Sequence, residues 1–224
     1  TAENGGFCYL PGQQKLYVRL VDEGDPNTRE MHVSTSPSAL RVTGSYLEIK
    51  GLSFKWVSRA FTLTGTSCVI DGCRATPVHF LVRTATGSAG NIVRNCEADG
   101  GPGYSTYMRR TYNDWPHGRA IFFEDNAVSF EAYGNRFTRF TEGISGFTYG
   151  KQGQARVNCN VDIHDNEISY CYDDLTEIDG AGVNYGVWGN YLHHGYSAFS
   201  LAPLKTGPAY IFKNRIAHLY WMRR

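Results

Sequence analysis

The sequence predicts an all-β solenoid of about seven coils, interrupted by two loop insertions, and two observations carry that expectation. Short β-rich runs recur along the chain, each closing on Gly or Asn: Gly51, Gly72, Asn95, Asn135, Asn166, Asn190 and Asn214, at intervals of 21, 23, 40, 31, 24 and 24 residues. No helical periodicity lies between them. A coil of this length cannot bury its own apolar face, so coils must stack to make a core. The composition agrees: fifteen Tyr, twelve Phe and twenty-five Gly against three Met favour strands and tight turns. An antiparallel sandwich would show turn signals every 8–12 residues or so, and leucine-rich repeats need a Leu spacing that is absent.

In chain order, residues 1–39 read as an N-terminal edge module containing "KLYVRLVDEGDPNT", and residues 40–224 as the solenoid. The five closing Asn are expected at five successive corners, tolerating a left-handed backbone and bonding amide to amide along the stack. Cys73 and Cys96 lie one repeat apart and should be stacked neighbours, as a cross-coil disulfide or a thiol ladder. The six cysteines lack paired CxxC spacings, so structural zinc is not expected, and fifteen pairings stay open.

The 40-residue interval holds the first insertion, within 100–126, where Tyr107, Tyr112 and Trp115 alternate with Arg109, His117 and Arg119. Aromatic faces and fixed donors of this kind suit sugar rings and hydroxyls; the alternative is a loop that covers one flank. A smaller insertion, 146–160, brings Lys151 and Arg156 beside the next coil. The last residues, "AHLYWMRR", follow a corner directly, which reads as an uncapped end, a truncated solenoid and a route to self-association. The first residues show neither an initiator Met nor a signal-peptide pattern, as expected of a processed or excised segment.

Acid is concentrated in "YCYDDLTEIDG", which carries Asp173, Asp174, Glu177 and Asp179. Counting from the corners, Glu142, Asp173 or Asp174, and Ser197 fall at equal offsets on successive coils. Alternation points Thr176 and Ile178 inward and Leu175, Glu177 and Asp179 outward. Stacked at about 4.8 Å, Glu142 and the doublet must share a proton or a cation, so the expected cofactor is none, or Ca2+ at the acidic strand. His193, His194 and Lys205 follow the next corner as candidate acid–base or sugar-binding groups. Independent solvated acids are the bland alternative. Twenty-two basic against twenty-one acidic residues leave +1, which gives no electrostatic case for nucleic acid, and no apolar run is long enough for a membrane span.

The block "YDDLTEIDGAGVNYGVWGNYLHHGYSAFSLAPLKTGPAYIFKN" resembles a group of bacterial proteins with a DDxxE strand, within the pectate-lyase-like superfamily of single-stranded right-handed parallel β-helices. The resemblance covers roughly residues 40 to 220. It implies a secreted or periplasmic protein that takes a polysaccharide as partner, with glycoside hydrolysis slightly ahead of lyase chemistry. A non-catalytic carbohydrate-binding or adhesive β-helix, or a fragment of a larger protein, is the alternative. Of the polygalacturonase motifs only the Asp173–Asp174 doublet has a counterpart; Gly-His-Gly and Arg-Ile-Lys are missing. Asp174 and Glu142 are expected as the acid–base or nucleophile pair, with Glu177 and Asp179 orienting them.

Overall fold

The computed structural model describes residues 6–13, 15–19, 22, 24–29, 37–101, 118–123, 127–146, 158–180, 182–202, 204 and 206–220. The chain divides into two compact units, Thr1–Thr35 and Ser36–Arg224. In the first, Gly6–Leu10 pairs antiparallel with Lys15–Arg19 across the 3-10 turn Pro11–Gln13.

The second unit is a right-handed parallel β-helix of seven coils. Each of its three sheets holds seven parallel strands in sequence order. The first sheet runs from Leu40–Val42 through Arg119–Phe123, Glu142–Gly146 and Asp174–Glu177 to Ser197–Ser200. The second runs from Glu48–Lys50 to Ala209–Phe212, and the third from Ser53–Phe54 to Arg215–Ala217. Among the described residues there is no α-helix. Inward side chains stack coil on coil into one apolar column, including Ile70, Val93, Phe130, Phe137, Ile144, Ile168 and Leu192. Burying each of the larger ones is worth about 1.5–3 kcal/mol.

The corner between the second and third sheets explains the repeat and corrects one expectation. Two adjacent columns share it. Gly51, Gly72, Asn95, Gly134, Asp165, Gly189 and Lys213 occupy the first, all with φ between 53° and 68°. That left-handed turn tolerates Gly and Asn best. The next residue points inward, and there Asn135, Asn166, Asn190 and Asn214 form the amide ladder, with Nδ2-to-Oδ1 distances of 2.9, 3.0 and 2.9 Å. Each Oδ1 also accepts the preceding coil's backbone N–H, as Asn166 does from Asn135 at 3.0 Å. The ladder therefore has four Asn, not five. Asn95 belongs to the turn column and reaches Asp71 instead (2.9 Å), while Cys96 and Cys73 continue the ladder column as buried free thiols.

Candidate functional site

The first sheet brings the acids together because its strands kink. Leu175 and Thr176 are both fully buried, as are Leu81–Val82 and Ala120–Ile121 on the coils before. Two consecutive inward residues break strict alternation. Leu175 therefore joins the core rather than the outer face, and the residues on either side of each inward pair point outward. Two outward columns result. Phe80, Arg119 and Glu142 are registered in one, continued by Asp174 and Ser197. The other contains Arg83, Phe122, Ser145, Glu177 and Ser200.

The doublet is set against Glu142 by a register step. The Asp173 N–H donates to the Thr141 carbonyl (2.8 Å), while Thr176 is registered on Ile144. The acidic coil thus takes up one more residue than the coil before it, a bulge that brings both Asp173 and Asp174 to the position beside Glu142.

Each acid has a different neighbourhood. Glu142 is 4% exposed and in direct contact with the Arg119 guanidinium, itself 7% exposed. Burial pushes Glu142 up from 4.5 to about 8; Arg119 opposes the shift, and Glu177, Asp173 and Asp174 add to it. Asp174 is half-buried, and burial followed by the charges of Asp173 and Glu177 raises it from 3.8 to about 7. Glu177 is raised by burial in spite of a 2.5 Å hydrogen bond from Ser145 Oγ. Asp179 is buried and accepts from Ser200 Oγ (2.9 Å) and the Ala202 N–H (2.6 Å). Among the described residues no three His, Cys, Asp or Glu side chains converge at metal-ligand spacing.

Toward the N-terminal coils the same face turns cationic and aromatic. Arg119 lies 4.7 Å and Arg83 5.7 Å from the Phe122 ring, and Arg59 lies 5.8 Å from Phe80. Phe80 and Phe122 are 6.2 Å apart. The sheet thus presents arginines and phenylalanines on one half, carboxyl groups on the other, and the Arg119–Glu142 ion pair at the boundary.

The chain matches no family model, no curated protein and no solved structure.

Of the residues singled out in the sequence, Glu142, Asp173, Asp174, Glu177 and Asp179 are brought together. Arg119 joins them as the first residue of a strand, not as part of the aromatic insertion, because the coil resumes at Gly118. Tyr107, Arg109, Tyr112, Trp115, His117, Lys151, Arg156 and Lys205 lie outside the described residues. His193 and His194 belong to another cluster, at the corner after the third sheet. Their Nδ1 atoms are 2.7 Å apart, His193 Nε2 is 3.3 Å from Glu167, and His194 stacks between Tyr170 and His218 at 4.6 and 4.9 Å.

Sequence reasoning missed Ser145, Ser200, Arg59, Arg83, Phe80 and Phe122. The signal that finds them is register. Once Glu142 and Glu177 are taken as outward, every residue aligned with them on the other coils is a candidate, whatever its type.

Proposed function

We propose that the acidic half of the first sheet hydrolyses a glycosidic bond in a polysaccharide. The observation that carries the reading is the gathering of five acids, Glu142, Asp173, Asp174, Glu177 and Asp179, on one sheet face, where burial and like charge push the half-buried Asp174 up to about 7. A group with its pKa close to neutral both holds a proton and gives it up readily, as a general acid requires.

A hydrogen bond with Ser197, registered on Asp174, opposes the shift without cancelling it. Asp174 donates its proton to the leaving glycosidic oxygen. Glu177, oriented by Ser145, lies three residues along the same strand and activates the attacking water.

At about 3.3 Å per residue their Cα atoms are at most about 10 Å apart. That span accommodates the roughly 6.5–9.5 Å between carboxyl groups in inverting enzymes, wider than the roughly 5–5.5 Å of retaining ones. The expected product is the inverted anomer. Glu142 and Arg119 lie behind this pair in direct contact, and the charges of Asp173 and Glu177 keep the Asp174 proton in place.

The test is a panel of polysaccharides incubated with the parent chain and Asp174→Asn, following new reducing ends and the absorbance of unsaturated uronides. Reducing ends without absorbance, lost in the variant, are the expected result. Absorbance together with reducing ends identifies a lyase, and no product from any substrate leaves a binding module. A Ca2+ ion shared by the acids is the competing way to relieve their repulsion. Activity that survives chelation favours the proton, and activity that disappears with chelation favours the ion.

A further inference from the structure

The outer face of the third sheet carries a groove of about 610 Å3 that runs from Ser53 on the first coil to His193 on the sixth. Its walls are two outward columns. One is Arg74, Glu97, Arg136 and Glu167, in register coil by coil. The other is Asp99, Thr138, Ser169 and His193. Between them the floor is the strand backbone, at residues such as Ala75 and Ala98 whose side chains face the core.

Three features define what fits. The groove lies along the solenoid axis and repeats every coil, about 4.8 Å, which is close to the length of one pyranose unit in a linear glycan. An extended peptide repeats its side chains every 6.6–6.8 Å or so, and falls out of step within two coils. The lining charges also cancel: Lys55, Arg74 and Arg136 stand against Glu97, Asp99 and Glu167. The acids are already engaged, with Arg74–Glu97 at 3.2 Å, Arg136–Glu167 at 3.7 Å, and Arg139 in contact with Asp99. An anionic polymer gains nothing there. Hydroxyl groups find donors and acceptors on every rung, from paired ions and from the Thr138 and Ser169 hydroxyls, which are 3.3 Å apart.

We propose that this groove is a second carbohydrate site, binding an uncharged linear glycan lengthwise with about one sugar ring per coil. It is separate from the acidic face and does not depend on catalysis there. The half-exposed Tyr170, at the sixth-coil end beside His193, gives the terminal sugar an aromatic edge.

The experiment is calorimetric titration of the Asp174→Asn chain with cellohexaose, xylohexaose and laminarihexaose, at low and high salt, with polygalacturonate as the anionic comparison. At least one uncharged hexasaccharide should bind, with an affinity insensitive to salt. Thr138→Trp, which fills the groove, should weaken binding about tenfold or more, and Thr138→Val, which keeps the shape but removes one hydrogen bond, a few-fold. Matching melting curves show that the variants fold.

Failure of all three sugars to bind overturns the proposal. So does unchanged binding in folded Thr138→Trp, or a preference for polygalacturonate that salt abolishes. Binding is read in an Asp174 variant, so it stands or falls independently of hydrolysis. A chain that binds a hexasaccharide in the groove but cleaves no polysaccharide keeps this inference and rejects the hydrolase reading.

Discussion

Two faces of the same solenoid stack charged residues at the same rung spacing and in opposite ways. On the third sheet Arg74, Glu97, Arg136 and Glu167 alternate in sign up the stack, and each charge finds its counterion one coil away. On the first sheet Glu142, Asp173, Asp174 and Glu177 gather on two coils with the same sign, and one buried arginine answers them. The first arrangement is what stability alone would select. The second lowers stability unless protons are retained, so the crowding of acids at the kinked strand points to chemistry rather than to folding.

Removing one acid should break this contrast most visibly. Asp174→Asn is expected to lower kcat by about 10²–10⁴-fold while leaving the fold intact; full activity in the variant would clear the acidic strand of a catalytic role. Next in size is Arg119→Met, which strips the buried counterion from Glu142. Denaturant titration above pH 8, where Glu142 is ionised, should show a loss of about 3–5 kcal/mol, and a negligible loss would mean that Glu142 does not need it.

An uncharged stack is the reference for both faces. Asn166→Ala removes a residue that donates to Ala132 and Asn190 and accepts from Asn135 (2.9–3.0 Å). It should destabilise by about 2–3 kcal/mol through the bonds lost and the buried groups left unsatisfied. The smallest change belongs to the alternating stack: Arg136→Ala should cost less than about 1 kcal/mol, and salt should remove the difference.

pH sharpens the contrast without mutation. Asp174 rises from 3.8 to about 7 and Glu142 from 4.5 to about 8, so the folded chain binds these protons more tightly than the unfolded one. The stability they contribute is full below about pH 4 and is lost as pH rises through 7 to 8. His164 pulls in the same direction. Burial lowers its pKa, but hydrogen bonds to Asp165 and Glu131 outweigh burial and raise it. Melting temperature should therefore fall from pH 5 to pH 8, and Asp174→Asn should flatten that fall, whereas Arg136→Ala should not.

The fold was legible because a solenoid writes its period into residues that have few substitutes. Asn135, Asn166, Asn190 and Asn214 are required by the amide ladder, and the turn column beside them needs a left-handed backbone. The one-residue error at Asn95 has the same origin, since both columns favour Asn and spacing alone cannot separate a turn residue from a ladder residue.

The acids were legible as a cluster, but their geometry was not. Leu175 and Thr176 look like an alternating pair in sequence, and only the kink that buries both sets which acids share a column. Arg119 was singled out as part of the insertion, but that insertion removes the corner from which its coil position would be counted. The groove of the third sheet left no signal at all: Arg74, Glu97, Arg136 and Glu167 are separated by unequal coil lengths and meet only through register.

The measurement closest to the central claim is the titration of the Asp174 side-chain carboxyl, followed by carbon NMR in the parent chain and identified by its absence in Asp174→Asn. A midpoint near 7 is the predicted result, showing that the stacked acids hold a proton where a general acid needs one. A midpoint near the ordinary 3.8 would show a solvated, ionised carboxylate and contradict the account of this face.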